Sequence, residues 1–175
     1  MKRFLLACII FLGFLLESIF VEFLPSERFG IDRIFVPHFM IVLIMLISFF
    51  YNRNKAIIYA LFFGLLFDII YTNIIGVYLF TFPLIVYLIS LFMKVLHTNL
   101  LVVFFVVLFG IVLLEMSVFG ILYLVNVAHM DWQRFVLDRL YPTLVLNGFF
   151  LILVYYPMKK FLLKKLISKE TDKLA

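Results

Sequence analysis

Long apolar runs alternate with short polar breaks along this chain. The runs cover about Phe4–Phe23, His38–Tyr51, Ala56–Ile75, Val77–Met93, Leu100–Val127 and Leu140–Met158. A membrane-spanning helix needs about 20 mostly apolar residues. The pattern therefore predicts an all-α fold, one polytopic membrane bundle of six transmembrane helices, with a basic tail over 159–175. The second run is short unless Ile34-Phe35-Val36 adds to it. Gly76 permits a tight turn between the third and fourth runs, because glycine has no β-carbon to resist positive φ. Pro83 is expected to bend the fourth, a kink that neighbouring helices make tolerable in a membrane.

A few polar groups interrupt the runs, and they are not scattered. With a rise of 1.5 Å per residue, Glu17 lies about 20 Å along span one, Asp68 about 18 Å along span three and Glu115 about 22 Å along span five. Asn147 sits about 10 Å from the opposite end of span six, at a similar depth. Ser18, Ser117 and Thr143 lie nearby, with Thr81 somewhat shallower. An ionisable group costs at least ~2.5 kcal/mol at the bilayer centre, so these side chains are expected to face one another. Glycine precedes the acid by four residues in Gly13/Glu17 and Gly64/Asp68, which puts both on one helix face. Gly110/Glu115 is a weaker, five-residue version. Glycine lets a second backbone approach, and the acid can then bond across the contact. No lysine or arginine is expected at this depth. That leaves the acids protonated, reached by water, or paired with a cation from a partner chain or ligand.

Composition removes the soluble alternatives. Of 175 residues, 67% are hydrophobic and 14% charged, with mean hydropathy +1.23. An ordinary soluble domain is about 45–50% apolar and about 25% charged. The net charge of +5 comes mostly from the chain ends, which points to membrane orientation and not to nucleic acid. Lys2, Arg3, Arg53, Lys55, Lys94 and the tail lysines 159, 160, 164, 165, 169 and 173 fall on one side. Arg28, Arg33, Arg134 and Arg139 fall on the other. This bias predicts both termini in the cytoplasm. The tail lysines suit an orientation anchor, with an anionic-lipid patch as the other reading.

Candidate chemistry is sparse. The one cysteine, Cys8, allows neither an internal disulfide nor a thiolate cluster. The run before it is too short for a lipoprotein signal, so span one reads as a signal anchor. His38, His97 and His129 read as separate hydrogen-bonded boundary residues. No metalloprotease, nucleophile-elbow or phosphate-loop motif is present. The expectation is no enzyme, no cofactor and no metal.

Several segments, in order, resemble one family. They are Val36-Pro37-His38-Phe39, Phe63-Gly64-Leu65-Leu66-Phe67-Asp68, Tyr71-Thr72 with Gly76-Val77-Tyr78, and Lys94-Val95-Leu96-His97-Thr98-Asn99. Glu115, Phe119-Gly120, Val136-Leu137-Asp138-Arg139, Pro142-Thr143 and Asn147 follow. Together they resemble MreD, the rod-shape-determining membrane proteins of bacteria, over nearly the whole chain. His38 departs from the arginine expected there. The resemblance implies a six-span protein of the cell-wall elongation machinery, in the cytoplasmic membrane and without catalytic activity. It implies association with the bitopic protein MreC and, through it, with the MreB filament, RodA and a class B penicillin-binding protein. It also implies a fold similar to the substrate-binding subunits of energy-coupling-factor transporters.

The expected role is a scaffold that binds a partner's transmembrane helix and helps position peptidoglycan synthesis. Glu17, Asp68, Glu115 and Asn147 would hold the bundle or accept a partner's polar group, with Gly13, Gly64 and Gly110 as close-packing points. Arg28, Arg33, Asp131, Trp132 and Arg139 are the outer-face partner candidates. The alternative is a small-molecule binding or transport subunit with an outward-facing polar pocket. A proton-coupled role for Asp68 is a third possibility.

Overall fold

The computed structural model describes residues 4–23, 33–72, 74–96, 98–127 and 130–174, with side chains from 5 through 167. The elements are α1 (Phe4–Phe23), α2 (Phe39–Phe50), α3 (Arg53–Tyr71), α4 (Val77–Val95) and α5 (Leu100–Leu124). A single turn, α6 (Trp132–Arg134), runs through a π-helical stretch (Phe135–Leu140) into α7 (Tyr141–Leu174). No strand occurs among the described residues, and the architecture is a membrane helical bundle. Five helical segments are long and apolar enough to cross a membrane.

The sixth apolar helix, α2, is only 12 residues long. At 1.5 Å per residue it reaches about 18 Å, short of a ~30 Å hydrocarbon core. Its position explains why it needs no polar face. Ten of its residues are buried, and it packs against α1, α3, α4 and α7. A helix apolar on all sides belongs in the centre. A segment without regular secondary structure, 33–38, leads into α2. Proline disfavours helix in the residue before it, so Pro37 keeps Val36 extended. Non-helical backbone is tolerated at membrane depth only when protein covers it. Here Pro37 and His38 are buried.

The start of span six also differs from the expectation. The helix begins at Trp132, not near Leu140, and passes through six π-wound residues. Pro142 supplies the physical reason. It has no N–H to donate to the carbonyl four residues back. That carbonyl, Asp138 O, instead accepts the Ile34 N–H at 2.6 Å. A backbone group freed by proline thus anchors the extended segment that leads into α2.

Candidate functional site

The buried polar groups gather at the end of the bundle where α2, α4 and α7 begin. The Asp68 carboxylate lies near the end of α3. Its Oδ1 accepts the Tyr78 N–H at 2.8 Å, with the Thr72 hydroxyl 3.2 Å away. Its Oδ2 accepts the Gly76 N–H at 2.8 Å and the Leu79 N–H at 3.0 Å. The first N–H groups of a helix have no partner inside it, and the dipole there attracts negative charge. Asp68 therefore caps α4 from the preceding helix. Gly76, at φ +118°, turns the chain so that these N–H groups converge. Gly64 makes the approach possible, since a β-carbon there would lie 2.5 Å from Tyr78 O.

The same device recurs one hairpin earlier in weaker form. Glu17 Oε2 accepts the Met40 N–H in the first turn of α2 at 3.2 Å. A β-carbon on Gly13 would meet Leu43 Cδ1 at 2.6 Å and Met40 Cα at 3.4 Å. Both glycine–acid pairs thus seat the start of the next helix. Gly110 does something else. It faces the side chains of Met45 and Ile89, and Glu115 caps no helix. The Ser18 and Tyr71 hydroxyls are hydrogen-bonded to each other and tie α1 to α3.

Glu115 is the junction of three segments. Its Oε1 lies 2.6 Å from His38 Nε2, and its Oε2 accepts Arg139 Nε–H at 2.8 Å. Both His38 and Glu115 are 1% exposed. Arg139 is 27% exposed, so part of its side chain is reachable from outside. This corrects the expectation that no cation reaches the acidic layer. The expectation assumed a helix starting at Leu140, with Arg139 in the loop before it. The π-wound stretch keeps Arg139 on the helix and turns it inward. His38 is likewise an interior partner of Glu115 and not an isolated boundary histidine.

Asn147 reads the extended segment with both ends of its amide. Its Oδ1 accepts the His38 N–H at 2.7 Å, and its Nδ2 donates to Val36 O at 2.9 Å and Thr143 O at 2.8 Å. The Thr143 hydroxyl accepts the Val36 N–H at 3.2 Å. Glu115, Asn147 and Thr143 therefore satisfy the backbone and side chains that a helical α2 of full length would not expose. Of the remaining candidates, Asp131, Trp132 and Arg33 are exposed, and Arg28 lies outside the described residues. No cluster of three or more His, Cys, Asp or Glu fit to hold a metal occurs among the described residues.

Sequence reasoning missed the Glu115–Arg139 and Glu115–His38 pairs. One signal was available: Pro142 frees a carbonyl a turn earlier, which marks 138–142 as a place where helix winding departs from α. The link from that point to residue 34 is not visible in any local pattern.

A family model described as rod shape-determining protein MreD matches residues 2–165. The rod shape-determining protein MreD of Bacillus subtilis (strain 168) is 39% identical over 172 residues, which covers 97% of this chain and 100% of the relative. No solved structure matches the chain.

Proposed function

The chain belongs to the MreD family of rod shape-determining proteins, and from that premise we propose that it serves cell shape as a non-enzymatic membrane scaffold. It lies in the bacterial cytoplasmic membrane with both termini inside. The end of the bundle that holds the acids then faces outward. It binds an MreC-type bitopic protein, which connects it to the MreB filament, RodA and a class B penicillin-binding protein.

One observation carries this reading. Each acid of the polar layer already has a partner inside the chain: α4's first turn for Asp68, α2's first turn for Glu17, and His38 with Arg139 for Glu115. A carrier needs polar groups open to cargo, and a hydrolytic site needs an activated nucleophile or metal-bound water. Groups consumed in fastening helices suit neither. They suit a rigid platform whose outer surfaces meet other helices.

Purification from a mild detergent with a co-expressed MreC-type protein tests this. Recovery of that partner in fixed ratio is the expected result. A tightly bound small molecule, with no protein partner, would sink the scaffold reading and favour a transport subunit.

A further inference from the structure

At the end of the bundle where α2 stops and α3 starts, three lysines gather round the last rings of α2. Lys55 Nζ stands 5.0 Å from the centre of the Tyr51 ring, and Lys165 Nζ stands 5.9 Å from the same centre. Lys159 Nζ lies 5.6 Å from the centre of the Phe50 ring, one residue back along the chain. Their hydrogen-bond partners are neutral. Lys55 donates to the Tyr51 hydroxyl at 3.1 Å and Lys159 to the Tyr155 hydroxyl at 3.3 Å. Lys165 Nζ is covered by its neighbours and has no hydrogen-bond partner. A ring face attracts a cation only weakly near a protein surface, and it does not cancel the repulsion between two cations drawn to one ring. Every acid whose side chain is described lies toward the other end of the bundle. The cluster is therefore matched by an anion from outside the chain.

An apolar hollow of about 350 Å³ opens on the same side of α3. It lies between α1 and α3, with Cys8 and Leu12 on one wall and Phe62 and Leu66 on the other. Every residue that lines it is apolar. Lys55, Phe62 and Leu66 follow one another at helical spacing, so they share one face of α3. At 1.5 Å per residue, Phe62 is about 10 Å deeper than Lys55. Ile58, one turn below Lys55 and 63% exposed, continues the apolar path between them. The occupant that suits both parts is an acyl chain with an anionic head. A free anion leaves the hollow unused. A zwitterionic head brings a second cation to a cluster that has no described carboxylate. A helix about 10 Å wide would fill the hollow in less than one turn. A basic pocket between membrane helices at the bilayer surface is also the general form of an anionic-lipid site.

We propose that this edge of the bundle binds one anionic phospholipid, with its phosphate between Lys55 and Lys165 and one acyl chain in the hollow between α1 and α3. The Lys165 amino group leaves the Tyr51 ring to meet the phosphate, a change its flexible side chain makes without moving the backbone. Lys159 adds positive potential at the same helix end. An orientation anchor accounts for charge here and not for its arrangement, since the exposed Lys160 and Lys164 serve that purpose equally well. The inference needs only a membrane-spanning bundle. It stands apart from the scaffold reading and from the direction in which the chain is inserted.

The test uses the full chain purified in a neutral detergent. It is titrated with phosphatidylglycerol, with phosphatidylcholine of the same acyl chains, and with inorganic phosphate. Native mass spectrometry counts the bound molecules. Labelling of Cys8, the one cysteine and an exposed one, by a maleimide shows whether the hollow is filled. One phosphatidylglycerol is expected to bind ahead of the others and to slow the labelling of Cys8. Lys55→Gln and Lys165→Gln each weaken that binding about fivefold, equivalent to roughly 1 kcal/mol per cation. Lys164→Gln removes the same charge from the exposed neighbouring position and leaves binding unchanged. Unaltered Cys8 labelling of the lipid-free variants shows that their fold is intact. Equal weakening by Lys164→Gln would reduce the site to diffuse surface charge and overturn it. Equal protection of Cys8 by phosphatidylcholine would overturn the anionic requirement. Inorganic phosphate that binds and displaces the lipid would assign the lysines to a free anion, and binding without slower Cys8 labelling would take the acyl chain out of the hollow; either result overturns the proposal. None of these outcomes bears on partner recovery, so the scaffold reading stands or falls by its own test.

Discussion

Asp68 and Glu115 are both buried carboxylates in an apolar bundle, and they are satisfied in opposite ways. Asp68 takes main-chain N–H groups 8 to 11 residues further on. Glu115 takes side chains 77 and 24 positions away. The first is a staple inside one helical hairpin. The second is a junction at which α5, the extended entry to α2 and the π-wound start of α7 meet. The difference teaches that one chemical group can solve two problems at one membrane depth. Helix ends need an acceptor, and a long-range junction needs opposite charges.

The sharpest way to break this comparison is to remove each carboxylate. Asp68→Leu leaves three N–H groups at the start of α4 without their acceptor. An unsatisfied buried donor costs about 1–3 kcal/mol, so a loss of roughly 4 kcal/mol is expected, discounted for overlap among the three. Thermal unfolding in detergent measures it. Glu115→Leu strands His38 and Arg139. Breaking a buried pair costs about 3–5 kcal/mol. The partial exposure of Arg139 puts this variant at the lower end, about 3 kcal/mol. If Arg139→Leu is then added, part of the loss should return, because the uncompensated cation is gone. A further loss would mean that Arg139 contributes packing independent of its charge.

Isosteric amides sharpen the contrast. Asparagine at 68 keeps one acceptor oxygen for two of the α4 amides and turns its NH₂ toward the third, so its loss should be about 1 kcal/mol, the lower end of the cost of one unmet buried donor. Asp68→Asn is expected to fold and retain its partner. Glutamine at 115 keeps one acceptor but presents its NH₂ to a cation, and hydrogen bonds to charged groups are worth about 1.5–3 kcal/mol. Glu115→Gln should therefore lose about 2 kcal/mol. Equal melting shifts for the two amides would show that the staple and the junction are not different in kind. An Asp68→Asn chain that folds and binds its partner but fails to support rod shape would instead point to a charge or proton role at Asp68.

The two sites also differ in how far the sequence announced them. The membrane bundle was legible because apolar runs are local properties that any window reports. The Gly64–Asp68 face was legible because both residues lie on one helix, and Gly76 marked the turn that returns α4 to it. Which donors Asp68 would meet was not visible: the layer was expected to face itself, and Asp68 instead takes the main-chain N–H groups of the next helix. Glu115 was visible as a cost and not as a junction. Its partners come from segments that no periodicity links to it. One of them, Arg139, was assigned to a loop because helical depth was counted from Leu140. The π winding puts more residues into a turn than a regular α rise foresees, and so changes which way Arg139 points. The short α2 was noticed as a deficit of apolar length. That a non-helical segment leads into α2 instead depends on Asn147 and Thr143, which read as members of a layer and not as backbone partners.

Glycine substitutions carry the contrast down to the smallest effects. Gly64→Ala forces the α3–α4 contact apart, because its β-carbon meets main-chain atoms that cannot rotate away: Tyr78 O at 2.5 Å and Leu79 Cα at 3.2 Å. Overpacking of this kind costs about 1–3 kcal/mol. The loss should also weaken the cap, so Gly64→Ala and Asp68→Asn are expected to be non-additive when combined. Gly120 is the opposite case. It lies within α5, on the stretch beyond Glu115, and has no neighbour for a methyl group to strike. Alanine is favoured over glycine inside a helix by roughly 0.5–1 kcal/mol, so Gly120→Ala should raise the melting temperature slightly. A gain at 120 beside a loss at 64 means that close packing is confined to the staple while the junction borders open space. A loss at 120 of the size seen at 64 would mean that the space beside α5 is closed by its own side chains, and that Glu115 sits in a seam as tight as the one around Asp68.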